Sequence, residues 1–301
     1  MNLFLEYMVL QLNRFRIQQK RRKLDKVFLS RQLQFRWPPI PMPTVNENSF
    51  MTSSIEDYVD EHYGLQDKIL PFVRQTGKLN SSSVTLDFGC GFGTLATALI
   101  NYGHDTGKYF GYDTNLRAID YCSSAFARVP HFNFYCPLVE RTTNYVTNRR
   151  YANARNAFDN HKVASPSRTS LKRLLGGEVL TCQFSLSVFT HMWPEDAINS
   201  LRSFSEFTSK DTVFINTWLI VDDFARDAVQ SGRADRELPI EVGGILTYSN
   251  ANPLLCTAYP LELLHDVYYK AGHKIEQIGY GSWAGRNNGV TYQDIVVSKL
   301  I

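Results

Sequence analysis

The sequence predicts an α/β fold in which a largely parallel sheet carries helices on both faces. Short apolar runs typical of strands alternate with amphipathic segments typical of helices from about residue 84 to residue 220. A glycine-rich turn directly follows the first of these strands, which is the layout of a nucleotide-binding strand–turn–helix unit. Two further strands, at 274–280 and 290–300, are predicted at the end of the chain.

The first strand, turn and helix lie in the stretch VTLDFGCGFGTLA, residues 84–96. Its apolar start suits a buried strand, and 94–100 suits a buried helix. Between them lie Gly89, Gly91 and Gly93, and glycines let the backbone turn tightly and let a ligand approach without meeting a Cβ. The helix N-terminus offers free N–H groups and a partial positive charge. We therefore expect a nucleotide-like cofactor at this turn.

Two acids distinguish this turn from a nicotinamide dinucleotide site. Asp87 lies two residues before the first glycine, and Thr94 stands where a dinucleotide fingerprint has its third glycine. A carboxylate at that position favours a ligand with an amino group over a pyrophosphate. The next short strand, 109–112, ends in Asp113, where an acid can accept hydrogen bonds from both ribose hydroxyls of an adenosine. This combination suits S-adenosylmethionine (SAM).

These residues resemble the glycine-rich motif and the following acidic motif of the class I SAM-dependent methyltransferases. FSLSVFTHMWPEDA, residues 184–197, is similar to the fourth-strand motif of a bacterial branch of that family found among glycan-biosynthesis genes. GYGSWAGRNNGVTYQD, residues 279–294, is similar to the C-terminal signature of the same branch. The resemblance covers residues 55–301 and implies a Rossmann-like seven-stranded sheet of order 3-2-1-4-5-7-6, with strand 7 antiparallel. It also implies methyl transfer to a hydroxyl of a sugar, glycan or related small molecule.

The resemblance further implies a set of cofactor-binding residues at the ends of the first four strands. These are Asp87, Gly89, Cys90, Gly91, Gly93, Asp113, Thr114, Leu138, Ser185 and Leu186. Leu138 stands where related sequences have an acid that contacts the adenine amino group, and Glu140 lies nearby.

Catalysis of methyl transfer requires a positioned acceptor, and a hydroxyl acceptor also requires a general base. His191 is the first candidate because it follows the fourth strand and its ordinary pKa suits proton transfer. The alternative is that His191 caps a helix or bonds a backbone carbonyl. Asp222 and Asp223 follow the fifth strand and are the next candidates, either as base or acceptor ligand or as the start of a helix.

The acceptor site is predicted at the C-terminal signature. Trp283 offers a flat face for a sugar ring, and Arg286 and Gln293–Asp294 can bond hydroxyls or anionic groups. The alternative for Trp283 is a packing residue that closes the hairpin. No HxxxH spacing or Cys/His cluster indicates a metal site, so no metal is expected.

The remaining elements are predicted from hydrophobic periodicity and from stop signals. Helices are predicted at 55–77, 115–128, from 194 and at 261–272, and strands at 131–136, 179–187 and 211–220. The polar stretch 140–178 is either a substrate loop or a surface excursion, with a crossover helix near 151–158. Residues 238–259 predict an extra β-excursion.

Residues 1–43 are predicted to form a basic helical arm and a proline-rich linker, and 44–301 the methyltransferase domain. Residues 1–37 hold nine Lys or Arg and two acids, a net charge of +7, so the rest of the chain carries −4 of the total of +3. The arm either packs on its own domain or on a second subunit, lies on an anionic membrane, or is a targeting segment.

Composition limits the class of protein and of partner. The hydrophobic fraction of 44% and the charged fraction of 20% are typical of a globular chain. The net negative charge of the domain disfavours nucleic acid as a partner, so a small-molecule or glycan acceptor is expected. Membrane contact and oligomerisation through residues 1–43 are the two further partner interactions considered. Five singly placed cysteines and no apolar run of membrane-spanning length predict a cytoplasmic protein, with membrane association by the arm as the alternative. A non-catalytic SAM-fold interaction module is the competing function.

Overall fold

The computed structural model describes residues 69–70, 78–101, 107–137 and 165–301. The predicted arm at 1–43, the helix predicted at 55–77 apart from Ile69 and Leu70, and the helix predicted near 151–158 lie outside these ranges.

The strands of the described ranges form one large and one small sheet. They are β1 (Val84–Phe88), β2 (Lys108–Tyr112), β3 (Phe132–Tyr135), β4 (Leu180–Ser185), β5 (Thr208–Trp218), β6 (Ile220–Val221), β7 (Ile240–Val242), β8 (Ile245–Thr247), β9 (Thr257–Pro260), β10 (His273–Gly279) and β11 (Asp294–Leu300).

The large sheet has seven strands in the order β10-β11-β5-β4-β1-β2-β3. The neighbours from β5 to β3 pair in parallel, and β11 runs antiparallel to both β5 and β10. Counted within this sheet, the order is the predicted 3-2-1-4-5-7-6 with strand 7 antiparallel. The fold prediction is therefore confirmed.

Helices cover both faces of this sheet. The described helices are α1 (Thr94–Asn101), α2 (Leu116–Ala125), α3 (Arg168–Leu175), α4 (Pro194–Ser205), α5 (Asp223–Gln230) and α6 (Leu261–Ala271). Strand β5 shows the two faces, because Val213 and Ile215 pack in a core with α1 and α2, whereas Phe214 packs in a core with α3, α4 and α6. This alternation is the period of two that a strand buried on both sides requires.

Local capping explains where several helices begin and end. Asn115 accepts from the N–H groups of Arg117 and Ala118 at the start of α2, as expected for an N-cap. Helix α3 was not predicted from the sequence; Ser167 is its N-cap, and Gly176, in the left-handed region (φ +61°), is its C-cap.

The predicted excursion at 238–259 forms a small sheet, in the order β6-β9-β8-β7. It lies against the segment that follows β4, since the Tyr259 hydroxyl donates to the Met192 carbonyl (2.8 Å). Trp218 fills the space between them, stacked on Phe189 with ring centroids 4.5 Å apart and edge-on to Tyr259. The small sheet thus supports the carboxyl end of β4. Within the described ranges, no helix combines the length and apolar character needed to cross a bilayer.

Candidate functional site

The glycine turn after β1 requires its glycines. Gly89 and Gly93 have φ values of +80° and +72°, in the region that disfavours other residues. A Cβ on Gly89 would lie 2.3 Å from Cγ2 of Val188, and one on Gly93 would lie 2.9 Å from Cε2 of Phe126. The turn is therefore packed closely against the segment after β4 and against α2, and it keeps its backbone close to its neighbours.

Asp113 connects this turn to the start of α2. The Gly91 N–H donates to Asp113 Oδ2 (2.8 Å), and the Asn115 N–H donates to Asp113 Oδ1 (2.7 Å). Burial raises the pKa of Asp113, while backbone N–H groups of Asn115, Gly91 and Thr114 act in the opposite direction. Each carboxylate oxygen has further acceptor capacity beyond these bonds. Asp113 is thus oriented at the turn and can still accept from hydroxyl groups of a ligand.

Asp87 lies beneath the turn and is almost fully buried, with 2% of its surface exposed. Its Oδ2 accepts a hydrogen bond from the Tyr109 hydroxyl at 2.5 Å. Burial raises the pKa of Asp87 to about 7, the Tyr109 bond lowers it and the charge of Asp113 raises it. From the sequence, Tyr109 was predicted only as a strand residue. In the structure, the parallel register pairs Asp87 with Gly111, and Gly111 lies on the same face of β2 as Tyr109.

Two further predicted cofactor residues of this region differ in exposure. The Cys90 side chain is buried with Ile119 and Cys136, and burial raises the pKa of its thiol, which lies 3.8 Å from the Gly91 carbonyl oxygen. Thr114 is exposed beside Asp113. Leu138 lies outside the described residues.

The carboxyl end of β4 carries Ser185 and Leu186. Ser185 is buried and its hydroxyl accepts from Gln183 Nε2 (2.7 Å), while Leu186 is half-buried against the core of α1 and α2. The next residue, Ser187, has a φ of +56°, and its N–H donates to Thr217 Oγ1 (2.7 Å). Non-glycine residues with such strained backbone conformations cluster at functional sites, so Ser187 supports a functional site at the carboxyl end of β4.

His191 ends a short 3-10 turn after β4, and it is half-buried. Its Nδ1 lies 2.9 Å from the carbonyl oxygen of Leu254, in the loop between β8 and β9. A carbonyl only accepts, so Nδ1 carries the proton and Nε2 of the neutral ring carries a lone pair. This bond to a backbone carbonyl is the structural role given as the alternative for His191. The same bond fixes the tautomer with a free lone pair on Nε2, which a general base requires.

Both carboxylate oxygens of Asp222 have partners within the protein. Its Oδ1 accepts from the Ala225 N–H (2.9 Å) as the N-cap of α5, and its Oδ2 accepts from Arg286 Nη2 (2.5 Å). Asp222 thus caps α5 and pairs with Arg286, and its predicted catalytic role stays a prediction. Asp223 is exposed as the first residue of α5.

Trp283 is fully buried, so the predicted stacking of this ring on an acceptor does not fit the structure. It packs with Leu238 and Ala258 beneath the small sheet, and its indole Nε1 donates to Asp294 Oδ2 (2.8 Å). Burial raises the pKa of Asp294 to about 6, while hydrogen bonds from Gly281, among others, lower it. Trp283 therefore closes the hairpin as a packing residue.

Arg286 and Gln293 lie in the same hairpin. The Arg286 guanidinium carbon lies 4.3 Å from the ring centroid of Phe224 and 4.4 Å from that of Tyr280. Gln293 Oε1 accepts from the Thr217 hydroxyl at the end of β5 (2.6 Å). The hairpin is thus attached to the carboxyl edge of the large sheet, but on the side away from β2.

The structure therefore brings together part of the predicted set. Asp87, the glycine turn, Asp113, Thr114, Ser185 and Leu186 meet at the carboxyl ends of the adjacent strands β2, β1 and β4. Arg286 and Trp283 lie beyond β5, at the β10–β11 hairpin. In the part of the chain that is described, no group of three or more His, Cys, Asp or Glu side chains is placed to hold a metal ion.

Comparisons with known proteins identify solved structures of similar fold. No protein-family model matches the chain. A SAM-dependent methyltransferase from Clostridium acetobutylicum has 10% sequence identity and a TM-score of 0.50, over 85% of this chain and 98% of that one. Magnesium protoporphyrin IX methyltransferase from Synechocystis, with bound S-adenosylhomocysteine, has 12% identity and a TM-score of 0.49, over 83% and 89%.

A third structure is an O-methyltransferase of neocarzinostatin biosynthesis in complex with S-adenosylhomocysteine and 1,4-dihydroxy-2-naphthoic acid. It has 11% identity and a TM-score of 0.44, over 85% of this chain and 60% of that one. With identities this low, the first of the three similarities establishes the architecture. The chain has the Rossmann-like fold of the class I SAM-dependent methyltransferases.

Proposed function

We propose that this protein is a SAM-dependent methyltransferase that transfers a methyl group to a hydroxyl of a small molecule, with a sugar or glycan as the acceptor class. The observation that carries the proposal is the bridge from Asp113 to the Gly91 and Asn115 N–H groups, at the end of β2 in a sheet of this topology. It orients a carboxylate beside a turn that Cβ atoms at Gly89 and Gly93 would disrupt.

The residues present fit SAM in chemistry and in placement. With SAM bound, Asp113 would accept hydrogen bonds from the two ribose hydroxyls, Thr114 would border the adenosine, and the turn from Gly89 to Gly93 would hold the amino-acid end of the cofactor. Asp87 lies beneath that turn, and a cation above it favours the ionised form of the carboxyl. When bound, SAM supplies a methyl group on a sulfonium that is an excellent leaving group.

The remaining task for the protein is to hold the acceptor and to remove its proton. We assign the proton transfer to His191, whose Nδ1–H is held by the Leu254 carbonyl and whose Nε2 has a lone pair. This assignment rests on the tautomer and on the position of His191 after β4, the neighbour of β1. The loop between β8 and β9, which contains Leu254, positions the imidazole.

The proposal also covers the division of the chain into two parts and the location of the protein. We propose that residues 44–301 form the catalytic domain in the cytoplasm and that the basic arm at 1–43 directs assembly or contact with an anionic membrane. The charge of +7 in residues 1–37, against −4 in the rest, supports a separate role for the arm.

The experiment is a transfer assay with the purified full chain. Methyl-labelled SAM is incubated with pools of hydroxylated small molecules and glycans, and the products are identified by mass spectrometry. The proposal predicts a labelled O-methyl product with wild-type protein and a large loss with Asp113→Ala. SAM binding with no transfer to any pool would instead favour the non-catalytic module.

A further inference from the structure

A groove of about 590 Å³ lies beside the edge strand β10, away from the cofactor turn. Its wall includes the outer part of β10, the loop 285–290 and the first turn of α5. The residues that carry the argument are Phe224, Gln277, Arg286, Asn287 and Asn288. None of these was assigned to a ligand above except Arg286.

The groove combines an apolar ring with amide groups. Phe224 is 42% exposed, although a ring of this size is usually covered. Gln277, Asn287 and Asn288 are exposed and supply both donors and acceptors. Because the Arg286 guanidinium already covers part of the Phe224 ring, a ligand that matches this wall has an apolar face for the exposed part of the ring and several hydroxyl groups for the amides.

The charge in the groove is balanced before any ligand binds. Arg286 is paired with Asp222, and both side chains are largely buried, with 16% and 18% exposed. Because the ion pair is neutral as a whole, it gives an anionic ligand little net attraction. Nη1 of Arg286 is buried and has no hydrogen-bond partner, although a buried donor of this kind normally has one. An uncharged oxygen acceptor satisfies it without a second negative charge beside Asp222.

We propose that this groove binds an uncharged sugar unit, with the ring of the sugar on Phe224 and its hydroxyls on the amides and Arg286. Strand β10 is three strands from β4, which at the usual spacing places the groove roughly 14 Å from the proposed reaction centre. The sugar in the groove is therefore a remote unit of an oligosaccharide acceptor. This last step rests on the proposed function, whereas sugar binding itself does not.

The first experiment is saturation-transfer NMR of the full chain, without SAM, with maltose, cellobiose, lactose and N,N′-diacetylchitobiose as probes. We expect at least one disaccharide to bind, and Phe224→Ala to weaken that binding about five- to tenfold through loss of the ring contact. Phe224→Tyr keeps the ring and Tyr269→Ala removes an exposed ring on α6, so both variants should bind as wild type does. Circular dichroism shows whether each variant is folded.

The proposal is overturned if none of the four probes binds, if Phe224→Ala binds them unchanged, or if inorganic phosphate occupies the groove in their place. A second experiment tests the link to the acceptor. Phe224→Ala should raise KM for an oligosaccharide acceptor and leave KM for the matching monosaccharide unchanged, and equal effects on both would overturn the remote-unit assignment. Disaccharide binding by a protein that fails to bind SAM would contradict the proposed function and leave the sugar site standing.

Discussion

The hydroxyl of Tyr109 on β2 donates a 2.5 Å hydrogen bond to the carboxylate of Asp87 on β1, beneath the glycine turn. Burial raises the pKa of Asp87 to about 7 from its ordinary 3.8. Between these two values the folded protein holds a proton that the unfolded chain has released. The contribution of Asp87 to stability is therefore most favourable below about pH 4 and declines as the pH rises to about 7.

We predict that Asp87→Asn removes this decline, because the amide does not titrate. The melting temperature of the wild type should fall relative to that of Asp87→Asn between about pH 4 and about pH 7, as measured by scanning calorimetry. Asp120→Asn is the matched control, since Asp120 is exposed on α2. Parallel curves for wild type and Asp87→Asn would contradict the account of Asp87, and contributions from groups that do not interact with Asp87 cancel in the comparison.

A second prediction concerns His191. If its Nε2 accepts the acceptor proton, His191→Ala should lower kcat by about 10²–10⁴-fold and leave SAM affinity unchanged. The measurement is steady-state kinetics together with cofactor calorimetry, and His265→Ala, an exposed histidine on α6, is the control. A variant with near-normal kcat that loses about 1 kcal/mol of stability would show that the bond to Leu254 is structural.

A third prediction follows from the burial of Trp283. Trp283→Phe removes the bond to Asp294 and part of a fully buried ring, so the free energy of unfolding should fall by about 2–3 kcal/mol. Tyr292→Phe, which removes an exposed hydroxyl bonded to Arg236 in the same hairpin, should change it by less than about 0.5 kcal/mol. Denaturant unfolding measures both. Equal effects of the two substitutions would contradict the packing role.

A fourth prediction concerns the basic arm. Deletion of residues 1–43 should leave SAM affinity unchanged and should change either binding to anionic vesicles or the oligomeric mass. Calorimetry, vesicle co-sedimentation and light scattering measure the three quantities. If vesicle binding and mass are both unchanged, neither the membrane role nor the assembly role of the arm survives.

The strands of the large sheet were predicted because their evidence is local, whereas their order was implied by the resemblance to the class I methyltransferases. Each strand is a short apolar run, and Gly272 at φ +83° ends α6 where the sequence has its stop signal. Helix α3 was missed because its apolar residues are few and lie in a polar, basic stretch, although Ser167 and Gly176 mark both of its ends. The small sheet was predicted only as an excursion, since its pairing between β6 and β9 is long-range.

The site was less predictable than the fold because side-chain roles depend on partners distant in sequence. Asp222 was selected as a candidate base because it is a carboxylate that follows β5, but Arg286, 64 residues later, forms an ion pair with its Oδ2. The indole ring of Trp283 is of the kind that stacks on sugars, but residues of the small sheet pack against it and bury it. Asp113 was placed beside the turn because it directly follows the second strand, which is legible from the local sequence, and its contact with a ribose stays a prediction.

The measurement that tests the central claim most directly is calorimetric titration of SAM into the full chain. We expect a dissociation constant in the micromolar range, on the order of −8 kcal/mol. Asp113→Ala should weaken binding by roughly 2 kcal/mol through loss of the ribose contact, whereas Asp223→Ala, at the exposed start of α5, should bind as wild type does. Absence of SAM binding by the wild type, or unchanged affinity in Asp113→Ala, would contradict the account.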